Sequence, residues 1–526
     1  MTSSGALQPD PAAVSLRGAR PRSRTLAGGI VAGLLLVSDG ASASTEWTFT
    51  PRMTVGQEWT DNAGFAPRGA EESDFITLLR PSFTLSGEGA RAQLDLSYSW
   101  DNRFYWDDSD RDRSTHNLSG RGNAELVSES IFVDGSIRRS VRAESVFDPV
   151  TPRDQQETTR YRVSPYWVWR VGRFADQEVR YVFDEARYHR SDRQPQQVHR
   201  AQYRLDSGPQ FGRTFWQLSS ERTWDRFDDP ERAKVDRFFN EATLGYQVTP
   251  SLRTSVSGGD GWNRVEDQPQ VDTQSWRVNA DWGITRNTQL QGSYGQFKDE
   301  IDERDQTNRR EQRSLTLTHQ APRSTWRLSY SEARADGLGR SIDEIGVLTF
   351  DDSPPGSVGF EIVDRETDRE QISFTEVWRG SWDYSTGPNT FRLEVSRRKT
   401  DRDFDLVSTV DADDIDDDVF EEDSVDRDWG VTGSWTWAFG ARTQANLRGT
   451  ARRLEGATEQ IERGGDTTEQ ERETDEWRVS LGLSRSIGRR TSGDLDFSHR
   501  QSRQQVDEDS ERRRENRISA RLTMEF

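Results

Sequence analysis

The sequence predicts an all-β protein: a transmembrane antiparallel up-and-down β-barrel of about 22 strands (about 18–24), with short periplasmic turns and long acidic extracellular loops. Three observations predict it. Apolar and polar residues alternate with period two in segment after segment, the pattern of strands with one greasy face and one wet face. Short and long connections alternate between those segments, as they do when tight turns face the periplasm and loops face outward. Composition supplies the third. Charged residues make up 31% of the chain and mean hydropathy is −0.94, values that read as disorder, yet there are 18 Trp, 24 Phe and 11 Tyr, far too many for a solvated coil. A barrel reconciles the two, because only alternate residues meet lipid while lumen and loops stay polar.

The C-terminal strand is the clearest element. Ile518, Ala520, Leu522, Met524 and Phe526 alternate with Arg517, Ser519, Arg521, Thr523 and Glu525. It resembles the closing strand of a bacterial outer-membrane barrel, which implies that Leu522, Met524 and Phe526 form the C-terminal signal read by the barrel-assembly machinery. From this segment alone, the terminal strand of a soluble sandwich is the alternative. The other end decides between them. Arg17, Arg20, Arg22 and Arg24 precede an apolar run from Leu26 to Val37, and Ala41-Ser42-Ala43 supplies an A-x-A site. This reads as a signal peptide over residues 1–43, leaving 44–526 as one barrel domain of the outer membrane. The apolar run is shorter than the ~20 residues of a spanning helix. The chain has no cysteine, which excludes a disulfide frame, a thiolate metal site and a lipoprotein anchor. A net charge of −20 argues against nucleic acid as a partner and leaves lipid and lipopolysaccharide as the surroundings.

Taken in order, the predicted strands share one rhythm. Leu94, Leu96, Tyr98 and Trp100 alternate with polar neighbours, as do Val179, Tyr181 and Phe183, although Val182 interrupts the wet face. Trp276 to Ile284, Phe391 to Val395, Trp429 to Phe439 and Trp477 to Leu483 repeat the pattern. Tight turns are expected at Gly87 to Gly89, Thr249 to Ser251, Arg286 to Thr288, Ala321 to Arg323, Thr386 to Asn389 and Gly440 to Arg442. Long loops are expected at Trp106 to Ser114, Arg226 to Asp236, Lys298 to Arg309, Gly337 to Asp368, Asp403 to Ser424 and Gly456 to Glu473. Trp47, Trp59, Trp100, Tyr105, Trp106, Trp167, Trp169, Trp216 and Trp224 cluster at strand ends, where indole and phenol rings form interfacial girdles.

Near the start of the barrel stand Glu58-Trp59-Thr60-Asp61-Asn62, Glu72-Ser73-Asp74-Phe75, Pro81 and Gly87-Glu88-Gly89-Ala90-Arg91. This stretch resembles the PEP-CTERM system-associated outer membrane protein family, porin-like barrels; Thr-Asp-Asn is shared with a broader group of such barrels. The resemblance implies a role in exopolysaccharide export or envelope assembly, with export components as partners. It carries over no catalytic residue.

The residues suggest no enzyme, cofactor or metal site. His116, His189, His199, His319 and His499 stand in no Ser/His/Asp pattern, and His499 continues a lipid-facing register. The acidic run from Asp411 to Asp423 lacks the turn glycine of a calcium loop and reads as a solvated loop rather than a divalent-cation site. On the wet faces, Arg180, Arg204, Arg277, Arg327, Arg392, Arg478 and Arg521 are expected to face the lumen, either as a track for an acidic polymer or in ion pairs with neighbouring carboxylates. The first strand starts close to the cleavage site, which argues against an N-terminal plug and a TonB-dependent transporter. The Gly337 to Asp368 loop holds Ile345, Val347, Leu348 and Phe350 and is expected to fold into the mouth. Together these residues and the resemblance imply a porin-like conduit tied to exopolysaccharide export; the alternative is a structural or adhesive surface protein with a closed, charge-filled lumen.

Overall fold

Twenty-two strands close into one antiparallel sheet in the computed structural model. It describes residues 46–143, 155–189, 195–227, 234–266, 269–301, 306–336, 343–345, 363–365, 371–405, 420–461, 467–507 and 509–526. The strands are β1 (Glu46–Thr60), β2 (Asp74–Glu88), β3 (Ala92–Tyr105), β4 (Arg113–Val127), β5 (Ile131–Ala143), β6 (Gln155–Val171), β7 (Ala175–His189) and β8 (Gln196–Ser207). They continue with β9 (Thr214–Phe227), β10 (Val235–Thr249), β11 (Leu252–Val265), β12 (Val271–Thr285), β13 (Thr288–Ile301), β14 (Gln306–Ala321) and β15 (Ser324–Asp336). Two short strands, β16 (Asp343–Ile345) and β17 (Val363–Arg365), pair only with each other. The barrel resumes with β18 (Gln371–Thr386), β19 (Asn389–Asp405), β20 (Phe420–Gly440), β21 (Thr443–Ile461), β22 (Thr467–Ser486), β23 (Thr491–Val506) and β24 (Asp509–Glu525). Each barrel strand pairs with the next, and β1 pairs with β24 from Arg52 opposite Glu525 to Thr60 opposite Arg517. That seam leaves no open edge, the condition for a sheet to stand in hydrocarbon.

The alternation places the greasy residues outward. Val55, Leu244, Val256, Leu328, Leu481, Leu495 and Ile518 are all exposed, as they must be where lipid replaces water as solvent. At the turn end, rings follow one another around the wall: Trp326, Trp382, Tyr384, Phe391, Trp435, Trp437 and Phe439 have successive centroids 4.8–6.2 Å apart. Aromatic rings sort to the headgroup level, so this arc marks one membrane boundary. The other boundary is equally sharp on β20–β24. Outward residues change from Trp429, Ala451, Trp477 and Ile518 to Arg427, Arg453, Asp475 and Arg514 within a residue pair or two along each strand. A barrel strand crosses hydrocarbon in about 9–11 residues. Strands of 19–21 residues, as in β20–β22, therefore continue well past the lipid on the loop side.

The tight turns fall where the alternation ends, and Gly387 takes the left-handed conformation (φ 60°) its turn requires. Inside the wall, Gly245 has a different reason to lack a side chain. A Cβ there would lie 1.9 Å from the ring of Phe215, its partner on β9, which is itself capped by Arg253 at 3.5 Å.

Some expectations are corrected. Strands β20, β21 and β22 run into the segments read as long loops, Asp403 to Ser424 and Gly456 to Glu473. Once above the lipid a strand no longer needs an apolar face, so its periodicity fades while its hydrogen-bonded pairing persists. The alternation of short and long connections is also not strict: on the turn side β8 and β9 are joined by residues 208–213, and on the loop side β23 and β24 by residues 507–508, with Asp507 at φ 51°. Tyr105 does not belong to a girdle. It is 6% exposed and packs inward against Ala63 and Ile76. Residues 1–43, the acidic stretch 411–419, and the Gly337 to Asp368 loop apart from β16 and β17 and their pairing lie outside the described residues.

Candidate functional site

The loop-side end of the seam is built by the Glu58 to Asn62 stretch. Thr60 Oγ1 donates to Glu515 at 2.8 Å. Asp61 accepts from the Asn516 backbone N (2.7 Å) and from its Nδ2 (2.6 Å). Asn62, fully buried, accepts from Ala66 N at 2.7 Å and donates through Nδ2 to the carbonyls of Ala66 and Arg514, both at 2.9 Å. Three consecutive side chains thus clasp the last strand from the first. The chain then leaves the seam, folds Ala63 and Phe65 onto the inner wall, and returns to bridge Pro67 with Arg513 and to bond Arg68 N to Arg512 O (2.9 Å). Phe65 is 3% exposed, stands at φ 50° and carries the Arg500 guanidinium 4.1 Å above its ring. Glu71 holds the far end of the loop. Hydrogen bonds from its own and the Gly69 backbone N–H keep its carboxyl below the usual glutamate range.

The inner wall beside this clasp is charged and paired. Glu58, 1% exposed, lies between Arg103 and Arg517 (3.4 and 3.6 Å). Arg517 also donates to Glu515, Arg500 to Glu476 (2.5 Å), and Arg452 holds Asp428 by two bonds of 2.9 and 3.1 Å. Asp184 takes Arg160 and Arg162 together. Buried charge is tolerated because each group lies beside a counter-charge, in fork geometry at Arg452–Asp428 and at Arg160 and Arg162 on Asp184. Higher on the wall, the topmost inward residues of four neighbouring strands, Val235, Val265, Val271 and Ile301, form an apolar cluster with Phe374. The loop-side inner wall therefore carries buried side chains, whereas the turn-side lumen is lined by exchanged hydroxyl and amide contacts. Examples are Thr54 with Thr523 (2.9 Å), Thr243 with Ser257 (2.8 Å), Ser293 with Ser314 (2.7 Å) and Asn279 with Ser255 (3.1 Å).

The band, the aromatic arc and the closed seam decide what surrounds this wall. The chain is an outer-membrane β-barrel. No family model matches it, and no curated protein does. Among solved structures it resembles the FrpB iron transporter from Neisseria meningitidis (F5-1 variant) at 9% identity, covering 91% of this chain and 82% of that one, TM-score 0.50. A single-site mutant of the ferric enterobactin receptor PfeA from Pseudomonas aeruginosa is similar at 10% identity over 92% and 81%, TM-score 0.50. The siderophore receptor PirA from the same organism stands at 12%, 91% and 80%, TM-score 0.48. At such identities the likeness is one of fold.

The seven arginines expected in the lumen lie in the register opposite the lipid-facing residues. Four have carboxylate partners: Arg180 with Asp134 and Glu178 (2.8 Å each), Arg277 with Glu241 (3.0 Å), Arg392 with Asp383 (2.5 Å) and Arg521 with Asp496 (2.5 Å). Arg478 donates to Ser498 at 3.4 Å, while Arg204 and Arg327 are exposed on the wall. Internal carboxylate pairing thus holds at Arg180, Arg277, Arg392 and Arg521. His116, His199, His319 and His499 stand in the outward register. His116 bonds Tyr98 and stacks on Trp100, His199 bonds Tyr181, His319 bonds Thr288, and His499 bonds Asn516 beside Trp477. His189 bonds Thr159. At Leu522, Met524 and Phe526 the side chains point outward, and Phe526 N donates to Pro51 O at 3.0 Å, tying the terminus to β1. The clasp was missed from sequence. Its signal was present as Thr60-Asp61-Asn62, short polar residues ending a strand, but their partners lie some 450 residues away on β24.

Proposed function

We propose that the barrel is a porin-like conduit for polar polymers, associated with exopolysaccharide export and envelope assembly, and narrowed at its outer mouth by the clasp and the loop folded inward from it. The observation that carries this reading is the turn-side lumen: hydroxyls, amides and paired charges line it, groups that exchange hydrogen bonds with a sliding glycan chain without trapping it. The resemblance over the start of the barrel, at Glu58 to Asn62, Glu72 to Phe75, Pro81 and Gly87 to Arg91, supports the polysaccharide assignment. A closed structural or adhesive barrel is the second reading, favoured by the buried cluster of Val235, Val265, Val271, Ile301 and Phe374. The structural neighbours' names suggest a third solute class, ferric chelates.

Single-channel recording of the folded protein in planar bilayers separates these. Stable openings that an acidic polysaccharide blocks, and a ferric siderophore does not, are expected. Block by the chelate alone would transfer the assignment to iron uptake, and a folded but silent barrel would favour the closed reading.

A further inference from the structure

The outer face of the seam carries an arrangement that the conduit reading does not use. Arg503 on β23 stands directly opposite Arg512 on β24, and Arg514 lies one outward position below Arg512. On the other edge of β24 the returning loop places Arg68 beside Arg512, with its backbone N on the Arg512 carbonyl. All four are exposed. Like charges directly across an antiparallel pair repel and cost stability. Acidic neighbours do not offset this: Asp475, across from Arg503 on β22, has both oxygens taken by Arg453 (2.6 and 2.8 Å). Glu71 lies 3.7 Å from Arg514 and is the one carboxylate paired with the group among the described residues. A chain of net charge −20 thus concentrates positive charge on one small patch.

Its height in the wall is informative. Phe497 with Ile518, and Val479 with His499, close the apolar band on these strands, and Trp477 lies level with Gln501 and Arg514. Arg514 is therefore one outward step above His499 and Asn516, and the Arg503–Arg512 pair is one step higher, each step being about 6.8 Å of strand. That is the level of outer-leaflet headgroups, where phosphate is the abundant anion. Guanidinium forks bind phosphate bidentately and are weakly hydrated, which suits them to this boundary.

We propose that Arg503, Arg512 and Arg514, with Arg68, form a binding site for the phosphate groups of a lipopolysaccharide molecule seated against the seam. The bound phosphates offset the repulsion between Arg503 and Arg512, and the lipid covers the joint between the first and last strands. The test uses the folded protein in detergent, with binding read by native mass spectrometry and by the thermal midpoint. Probes are lipopolysaccharide, its dephosphorylated form and inorganic phosphate. Expected are a raised midpoint and retained lipid with lipopolysaccharide alone, and at least about tenfold weaker binding by R503S/R512S/R514S, the loss of a single charge-assisted contact being the lower bound. Heat-modifiable gel mobility confirms that this variant is folded, and R503K/R512K, which keeps charge but lacks the fork, is expected between the two. Equal binding by the serine variant, or by dephosphorylated lipid, would overturn the site. Equal competition by inorganic phosphate would assign the patch to a free anion and overturn the lipid.

Discussion

At the scale of single residues, the clasp concentrates much of what is specific to this chain. Asn62 satisfies both ends of its amide, three bonds in all, within a region from which water is excluded. Alanine there would remove those bonds and take away the side-chain partner that the Ala66 N–H and the Arg514 carbonyl have in Asn62. Net hydrogen bonds contribute about 1 kcal/mol each, and orphaned buried groups cost more, so Asn62→Ala is expected to lose about 2–4 kcal/mol. The measurement is the urea midpoint of the folded barrel, with Asn287→Ala, at an exposed tight turn, as the control. A shift no larger than the control's would mean that the loop is held by its backbone pairing at Pro67 and Arg68 alone. Phe65 makes the same point from the apolar side: its ring is buried against Arg500 rather than in lipid, so the loop is anchored to the inner wall.

At the scale of elements, alternation governs everything within the lipid. Leu317 on β14 faces outward between Leu290 and Leu328, in the middle of the band, while Thr316 faces the lumen between Gln291 and Ser329. Leu317→Arg is expected to cost about 2–4 kcal/mol, as charge on a lipid face does, whereas Thr316→Arg, one residue away, is expected to change stability by less than about 0.5 kcal/mol. Equilibrium unfolding in lipid vesicles compares them, and equal costs would show that the two faces are misassigned. This is also why the fold was legible in the sequence. From Trp276 to Ile284 or Trp429 to Phe439, one face must be greasy and the other wet, and that demand is written as period two. Above the band the demand lapses, and the strands through Gly456 to Glu473 look like loop although they are paired residue by residue. The wet face was legible only as polarity. That Arg392 meets Asp383, or that Tyr105 turns inward to Ala63, depends on neighbours that local periodicity does not name.

At the scale of the whole molecule, closure is the problem the sequence must solve, since β1 cannot complete its pairing until β24 exists. The joint is made by Arg52 with Glu525 (3.1 Å), Thr54 with Thr523, the clasp at Thr60 to Asn62, and the terminal Phe526 N–H on Pro51 O. Yet the Phe526 side chain is 65% exposed and takes little part in that joint. A residue that matters little to the finished barrel but resembles an assembly signal invites a test that separates stability from biogenesis. Phe526→Ser is expected to lower the unfolding free energy of barrel refolded in vitro by no more than about 1–2 kcal/mol, the cost of taking a ring from the lipid boundary at a strand end. In cells, the amount of heat-modifiable barrel recovered from the outer membrane is expected to fall severalfold, because the assembly machinery no longer recognises the last strand. Adding Met524→Ser, at the next outward position of the same strand, should deepen the loss in cells by far more than its own cost in vitro, about 1 kcal/mol for an outward apolar side chain near the boundary. If instead both variants lose stability in vitro in step with their loss in cells, the aromatic terminus is part of the seam's packing, and recognition of the strand must rest on its backbone and on the Leu522 face alone.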